Sequence, residues 1–179
     1  MPAVSYRPHY KIPDYLAWEG DWEFWDGVPV SMSPSPNTRH QRTGLNLVHS
    51  IHSQILDQKD CNDCQLFYEI DWHVSDNTVV RPDLLIVCGE VPEDFIKSPP
   101  VFIAEILSPS TAEKDRTAKR DLYAAEGVRY YLILDPDAEE AEFLVHNAET
   151  GAYESADSVP VKLDLHAGCR ISLDLEKVW

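Results

Sequence analysis

Two carboxylates sit in otherwise apolar, strand-like runs: Asp83 within Val79–Cys88 and Glu105 within Val101–Leu107. An isolated charge inside a strand is costly, so such groups pair with another charge or hold a cation. Side chains alternate along a strand. Asp83 therefore shares a face with Leu85 and Val87, and Glu105 shares one with Val101 and Ile103. If the two strands are neighbours, the carboxylates converge at one end of a sheet. There they repel unless one is protonated or a cation lies between them. Mg²⁺ or Mn²⁺ suits such a pair, because these ions use few carboxylates and keep bound waters. The same two groups could instead cap strand-end amides or pair with Arg81, and the pattern alone does not separate these readings.

A basic helix follows directly, with Lys114, Lys119 and Arg120 just after Glu105. Lys119 stands four residues beyond Asp115 and four before Tyr123, so the three share one helical face. Taken singly, each cation is most simply a solvated surface charge. Together with paired carboxylates they suggest phosphodiester hydrolysis, which needs neutralised charge and an oriented water. Ser108 and Ser110 invite a nucleophile reading, but no G-x-S-x-G elbow surrounds them, and turn and cap roles explain both. Cys61-Asn-Asp-Cys64 has the spacing of a zinc or redox site. With no second C-x-x-C and no histidine pair at finger spacing, a turn carrying two reduced thiols is the expectation, and Cys88 reads as plain core.

The elements that must position these groups follow from periodicity. Residues 1–12 read as a loose lead, and 13–179 as one domain. Pro13–Trp18 predicts a helical turn with proline near its start. Trp22–Trp25 and Val28–Met32 flank Asp26-Gly27, a hairpin signal. Ser33-Pro34-Ser35-Pro36 breaks the chain, and Asn37 or Thr38 caps a helix to about Gln58 with Leu45, Val48, Ile51, Ile55 and Leu56 as its apolar face. Gln65–Val74 and Val79–Cys88 read as strands joined through Ser75-Asp76-Asn77, and Val101–Leu107 as a third, buried on both faces. Ser110 with Glu113 forms a capping box for a helix that runs to Glu126 and stops at Gly127. Arg129–Asp135 is a further strand, 141–147 and 152–155 a hairpin, and Ile171–Trp179 a last strand or turn. This is an α/β sandwich around a mixed sheet, with hairpins at both ends.

The 179 residues suffice for one domain with a real core, and 44% hydrophobic with 26% charged residues mark a globular chain. No apolar run reaches a membrane span and the start shows no apolar export core, which predicts a cytoplasmic protein. The net charge of −16 disfavours casual attraction to nucleic acid. Acid is concentrated between Asp135 and Asp157, where eight acidic residues meet no Lys or Arg, so Lys114–Arg129 can still present a local basic face.

A resemblance carries further. Trp22-Glu-Phe-Trp-Asp-Gly27, Met32-Ser-Pro34, His40, Pro82-Asp83, Ala104-Glu-Ile-Leu-Ser-Pro-Ser-Thr111, Asp115, Lys119-Arg-Asp-Leu-Tyr123, Gly127-Val128 and Tyr131-Leu-Ile-Leu-Asp-Pro136 together resemble the Uma-two family. That family comprises restriction-endonuclease-like domains, long catalogued as of unknown function, within the PD-(D/E)XK nuclease superfamily. The likeness spans about residues 12 to 179 and is most specific from Pro82 to Pro136. It implies a restriction-endonuclease-like core: a central mixed β-sheet flanked by helices, with extra β-hairpins. It also implies Mg²⁺-dependent (or Mn²⁺-dependent) cleavage of DNA, leaving a 5′-phosphate.

Carried over by position, Asp83 and Glu105 are the metal-ligating acids, and Glu23 is an early acidic position that completes the metal shell or holds a water. The superfamily's lysine falls two residues after the acid, where this chain has Leu107. The resemblance moves that role to Lys119. At about 1.5 Å per residue Lys119 lies ~12 Å along its helix, so the helix must fold back over the sheet end. His40 is a further candidate, read more simply as a structural histidine. A homodimer is expected, since two cuts on a duplex need two sites; Trp22 and Trp25 are its candidate contacts, or else plain core. The competing reading is an inactive relative that binds nucleic acid or protein, favoured by the net charge and by Leu107.

Overall fold

The computed structural model describes residues 9–32, 37–156 and 160–179. The Ser33–Pro36 breaker, the first eight residues of the lead and the Asp157 end of the acidic stretch fall outside them. The rest of the lead is tied down: Tyr10 N–H donates to Gly27 O (3.0 Å) and Ile12 N–H to Asp76 O (3.2 Å).

Chain order begins with α1 (Ile12–Tyr15), β1 (Trp22–Trp25), β2 (Val28–Ser31) and α2 (Thr38–Asp57). Then come β3 (Cys64–Tyr68), β4 (Trp72–Ser75), β5 (Thr78–Val80), β6 (Leu84–Cys88) and β7 (Phe102–Ile106). A helical stretch in three parts follows: α3 (Ala112–Lys114), a π-helical segment Asp115–Lys119, and α4 (Arg120–Ala125). The chain ends with β8 (Tyr130–Asp135), β9 (Glu140–Asn147), β10 (Ala152–Ser155), β11 (Val161–His166) and β12 (Cys169–Leu173). A six-stranded sheet in the order β10-β9-β8-β7-β6-β3 is mixed, because β7 and β8 run parallel and their other neighbours antiparallel. A four-stranded sheet, β2-β1-β5-β4, and the β11–β12 hairpin complete the architecture.

The two long strands expected at 65–74 and 79–88 are each broken, and the breaks explain the architecture. Glu69 takes a left-handed conformation (φ 50°), which no strand continues through. Pro82, with no N–H to give a ladder, interrupts the other. Each run thus leaves one sheet and enters the next: β3 and β6 pair in the large sheet, β4 and β5 in the small one. Asp83 lies at that crossing, one residue before β6.

Period-2 alternation divides the large sheet's two faces. On one, Leu84, Ile86, Phe102, Ala104, Leu132 and Leu134 pack with Leu47, Ile51 and Ile55 of α2 and with Leu163 and Ile171 of the last hairpin. On the other, Leu85, Val87, Ile103, Tyr131 and Ile133 pack with Trp72, Tyr123 and Val128. The inward row of α2 keeps Val48, Ile51 and Ile55 of the expected one but differs at its ends. Leu47 is buried, while Leu45 and Leu56 are 68% and 71% exposed. Gly44 lies on the inward row as well: a Cβ there would lie 2.9 Å from the Tyr68 hydroxyl, so a larger residue would push against that side chain.

The helix after β7 also departs from expectation. Thr111, not Ser110, is its N-cap and no side chain caps it, because Ser108, Ser110 and Thr111 bond one another instead. The last hairpin was legible only from Ile171 onward; β11 was missed. The expected reduced thiols are absent: Cys61 is bonded to Cys169 and Cys64 to Cys88. Cys64 and Cys88 stand directly opposite on β3 and β6, a pairing that only the strand register creates. Cys88 is therefore a staple and not plain core.

Cys61–Cys169 spans 108 residues and Cys64–Cys88 spans 24. Loop-closure entropy then assigns about 4–5 kcal/mol to the first and about 3–4 kcal/mol to the second. Urea unfolding should show Cys61→Ser/Cys169→Ser less stable than Cys64→Ser/Cys88→Ser, both below the parent protein. Equal midpoints with and without a dithiol reductant would show that neither bond forms in solution.

Candidate active site

Parallel neighbours such as β7 and β8 need a crossover connection, and here it is the α3–π–α4 stretch. Having left the end of β7, the crossover must travel back along the sheet to reach the start of β8. Its middle residues therefore overlie the strand they follow. Lys119 lands on Glu105, the geometry that the resemblance required.

Lys119 is 3% exposed, and three carboxylates surround its amine: Glu105 Oε1 at 2.9 Å, Glu23 Oε1 at 3.3 Å and Asp115 Oδ1 at 3.4 Å. The bland reading of a solvated surface charge is thus overturned. The π-helical segment spans Asp115 to Lys119 and turns both inward. Such wide turns are frequent at functional sites. Tyr123, one turn further on, donates its hydroxyl to Glu105 Oε1 at 2.6 Å, and Tyr131 donates to Asp115 O at 2.7 Å.

Glu23 arrives from the small sheet. Alternation along β1 sends Phe24 towards Tyr15 and turns Glu23 and Trp25 the other way. Fully buried, Glu23 accepts from Lys114 Nζ, from Trp25 Nε1 (3.0 Å) and from the backbone of Arg81 (3.3 Å). Trp22 and Trp25 are half-buried; Trp22 packs edge-on against Trp18.

Asp83 stands on the other side of Glu105. The β6–β7 register pairs Leu84 with Ala104, so Asp83 lies beside Glu105 one step past the ladder. Asp83 Oδ2 accepts the Ile106 N–H at 2.7 Å, and His40 Nε2 lies 3.3 Å from the same oxygen. The strand-end amide cap is therefore real, but it engages one oxygen only. Arg81 does not pair with Asp83: it binds Asp71 (2.7 Å) and Asp21 (2.8 Å). Leu107, at the position where the superfamily carries its lysine, is buried among Ile103, Tyr131 and Ile133.

These environments separate the carboxyl groups. Burial alone would raise Glu23, yet Lys119 and Lys114 outweigh it and hold its pKa at about 2. Burial raises Glu105 well above the usual range, helped by Asp115 and Asp83 and opposed by Lys119. Asp115 is raised by burial too, against the pull of Lys119. Burial works against the charge on Lys119, but Glu105, Glu23 and Asp115 prevail and keep it protonated. Burial and Glu105 also push Tyr123 well above its ordinary value, so its hydroxyl remains a donor.

The donor chemistry fits a hard divalent ion. The contacts of Asp83 fall on Oδ2 and those of Glu105 on Oε1, so Asp83 Oδ1 and Glu105 Oε2 carry none of them. Both are oxygen donors. Among the described residues no three His, Cys, Asp or Glu side chains form a cage that could hold a metal alone. A two-carboxylate site leaves the remaining positions to water and substrate.

The sequence readings of Asp83, Glu105, Lys119 and Glu23 thus fall on one cluster. Asp115 and Tyr123 were recognisable only as companions on the Lys119 helical face. Their direct links to Lys119 and Glu105 were not. Lys114 was visible as a charge but not as a partner of Glu23. Arg120 lies off the cluster, beside Arg116, Tyr153 and Gly151 on the far side of the helix.

A family model described as Uma2, "Putative restriction endonuclease", matches residues 12–175. Among solved structures, the chain is similar to one titled a putative nuclease belonging to DUF820 from Anabaena variabilis. The TM-score is 0.72 at 17% identity, over 94% of this chain and 97% of that one. No curated protein matches the sequence. At that identity the structural likeness shows the fold, which is restriction-endonuclease-like.

Replacing Lys119 with methionine leaves Glu105 and Asp115 without their cation, while Glu23 keeps only Lys114. Breaking a buried pair in this way costs about 3–5 kcal/mol at neutral pH. The sign with pH follows: carboxyl groups raised further above their unfolded values bind protons more tightly when folded, so Lys119→Met regains stability as pH falls from 7.5 towards 5.5. In the parent protein the contribution of Glu23 runs the other way, full above about 4.5 and lost as pH falls towards 2. Urea titrations at several pH values check both; a Lys119→Met deficit independent of pH would contradict this charge assignment.

Proposed function

Because the chain belongs to the Uma2 family of putative restriction endonucleases, we propose that it is a divalent-metal-dependent endonuclease that hydrolyses DNA phosphodiester bonds at the Asp83–Glu105–Lys119 cluster. One observation carries this reading. A buried ammonium, Lys119, lies 2.9 Å from the strand carboxylate Glu105, beside a second carboxylate with an uncommitted oxygen. It supplies from a helix the cation that Leu107 cannot supply from the strand.

Asp83 Oδ1 and Glu105 Oε2 are the proposed ligands of Mg²⁺ or Mn²⁺. Such an ion would neutralise charge at the scissile phosphate and lower the pKa of a bound water. Lys119 keeps its proton through its three carboxylate neighbours and offers a fixed positive charge where oxyanion charge develops. Tyr123 and Lys119 together hold Glu105 Oε1, which fixes the rotation of that carboxylate. Glu23 remains ionised and anchors both Lys114 and Lys119. Lys114 is the more open of the two lysines, with its side chain 26% exposed, and is the group proposed to meet a substrate phosphate. The products are a 5′-phosphate and a 3′-hydroxyl. Cutting both strands of a duplex needs two such sites, which a homodimer would supply.

The net charge of −16 favours a second reading, in which the site is kept but the protein only binds its partner. Nicking of supercoiled plasmid with Mg²⁺ or Mn²⁺ separates the two. Asp83→Ala, Glu105→Ala and Lys119→Ala should each reduce nicking at least 100-fold, the scale of losing one preorganised charge-stabilising group. Lys119→Ala should still bind Mn²⁺ in calorimetry, since it removes a cation and no ligand, whereas Asp83→Ala should not. Undiminished cutting by Asp83→Ala or Lys119→Ala refutes the assignments; metal binding without any cutting favours the binding module.

A further inference from the structure

His40 is a buried ionisable side chain at the cluster to which the proposed chemistry gives no task. It is 4% exposed, on the first turn of α2, where Asn37 caps the helix by accepting from the backbone N–H groups of Arg39 and His40. Its Nε2 lies 3.3 Å from Asp83 Oδ2, while its buried Nδ1 has no partner among the described residues. A histidine serving only to fill space is replaceable by an apolar side chain with no unpaired nitrogen; this one leaves Nδ1 unpaired while Nε2 meets a carboxylate. With Nδ1 unpartnered, Nε2 is the ring nitrogen that meets Asp83. The Ile106 N–H reaches the same oxygen from the sheet side at 2.7 Å. The Ile106 amide thus holds Oδ2 by a hydrogen bond while His40 Nε2 lies against the same oxygen from another element, which leaves Oδ1 as the oxygen on offer.

We infer that His40 is a positioning residue for Asp83: its Nε2–H, with the Ile106 amide, clamps Oδ2 so that Oδ1 is presented to a divalent cation. This rests on the reading of Asp83 as a metal ligand. It assigns α2 a part in the site beyond packing, since the helix places the clamp while its Leu47, Ile51 and Ile55 row holds it against the sheet. Groups that orient metal ligands in this way typically contribute 10–100-fold in metal affinity.

The test is Mn²⁺ calorimetry on the full chain, with thermal melts confirming that each variant is folded. His40→Ala should bind Mn²⁺ 10–100-fold more weakly. His40→Gln, whose amide places an N–H close to the Nε2 position, should stay within about threefold of the parent. If the alanine variant melts below the assay temperature, His40→Leu fills the space without a donor and takes its place. Parent-like affinity in the donor-less variant overturns the inference. So does a glutamine variant as weak as the donor-less one, because shape alone would then matter. A metal-free arm distinguishes this failure from that of the underlying reading. In a double-mutant cycle of His40→Ala with Asp83→Asn, followed by urea unfolding, non-additive losses support the clamp and strict additivity overturns it. Equal Mn²⁺ binding by the parent and Asp83→Asn would instead remove Asp83 as a ligand.

Discussion

The structure depends on a single buried ammonium. Lys119 stays charged out of water because Glu105, Glu23 and Asp115 face it, and those three come from the large sheet, the small sheet and the crossover helix. Removing one partner from such a buried set strands the others at a cost of several kcal/mol. The large sheet, small sheet and helix are therefore mutually registered at this point by electrostatics, on top of what apolar packing gives. The apolar cluster of Trp72, Tyr123, Tyr131 and Val128 surrounds the charges and keeps the local dielectric low, which strengthens both the attractions and the penalty for losing them.

Two breaks in the chain make that meeting possible. Had 65–74 and 79–88 run as unbroken strands, one hairpin would lie in one sheet and Asp83 would be an ordinary mid-strand residue. Glu69 and Pro82 instead divide each run between sheets, so the hairpin bends across the gap. Asp83 falls at the bend, at the last rung of the ladder, with its backbone carbonyl accepting from Glu69 N–H at 3.0 Å. A carboxylate here has access to solvent that Glu105 lacks: its side chain is 19% exposed, against 2% for Glu105. The site thus has a closed end at Glu105 and an open end at Asp83.

What could be read from the residues follows the range of the interactions. The Asp26-Gly27 hairpin, a helix cap at Asn37 or Thr38 and the strands within 101–107 and 129–135 are set by neighbours in sequence, and all were legible. The joint face of Asp115, Lys119 and Tyr123 was legible as well, since helical spacing is local. The direction of that face was not, because it depends on where a crossover must land. Leu45 and Leu56 misled the assignment of the α2 face, whose inward side includes Gly44 packed close to Tyr68. The cysteines failed for a similar reason: Cys61 and Cys169 lie 108 residues apart, and no spacing rule connects them.

The π-helical segment carries a consequence for the chain's tolerance of insertions and deletions. Residues 115–119 accommodate one residue more than an α-helical turn would over the same span. An α-helix advances about 100° per residue, so losing one residue here would swing the chain beyond it by roughly that angle relative to Ala112–Lys114. Tyr123 and Lys119 could then not both address Glu105 while Asp115 still faced inward. The exposed Thr117 contributes both a unit of length and a hydroxyl that donates to Glu113 O at 2.6 Å, back along the same turn. At this point the chain encodes the site by residue count as well as by residue type.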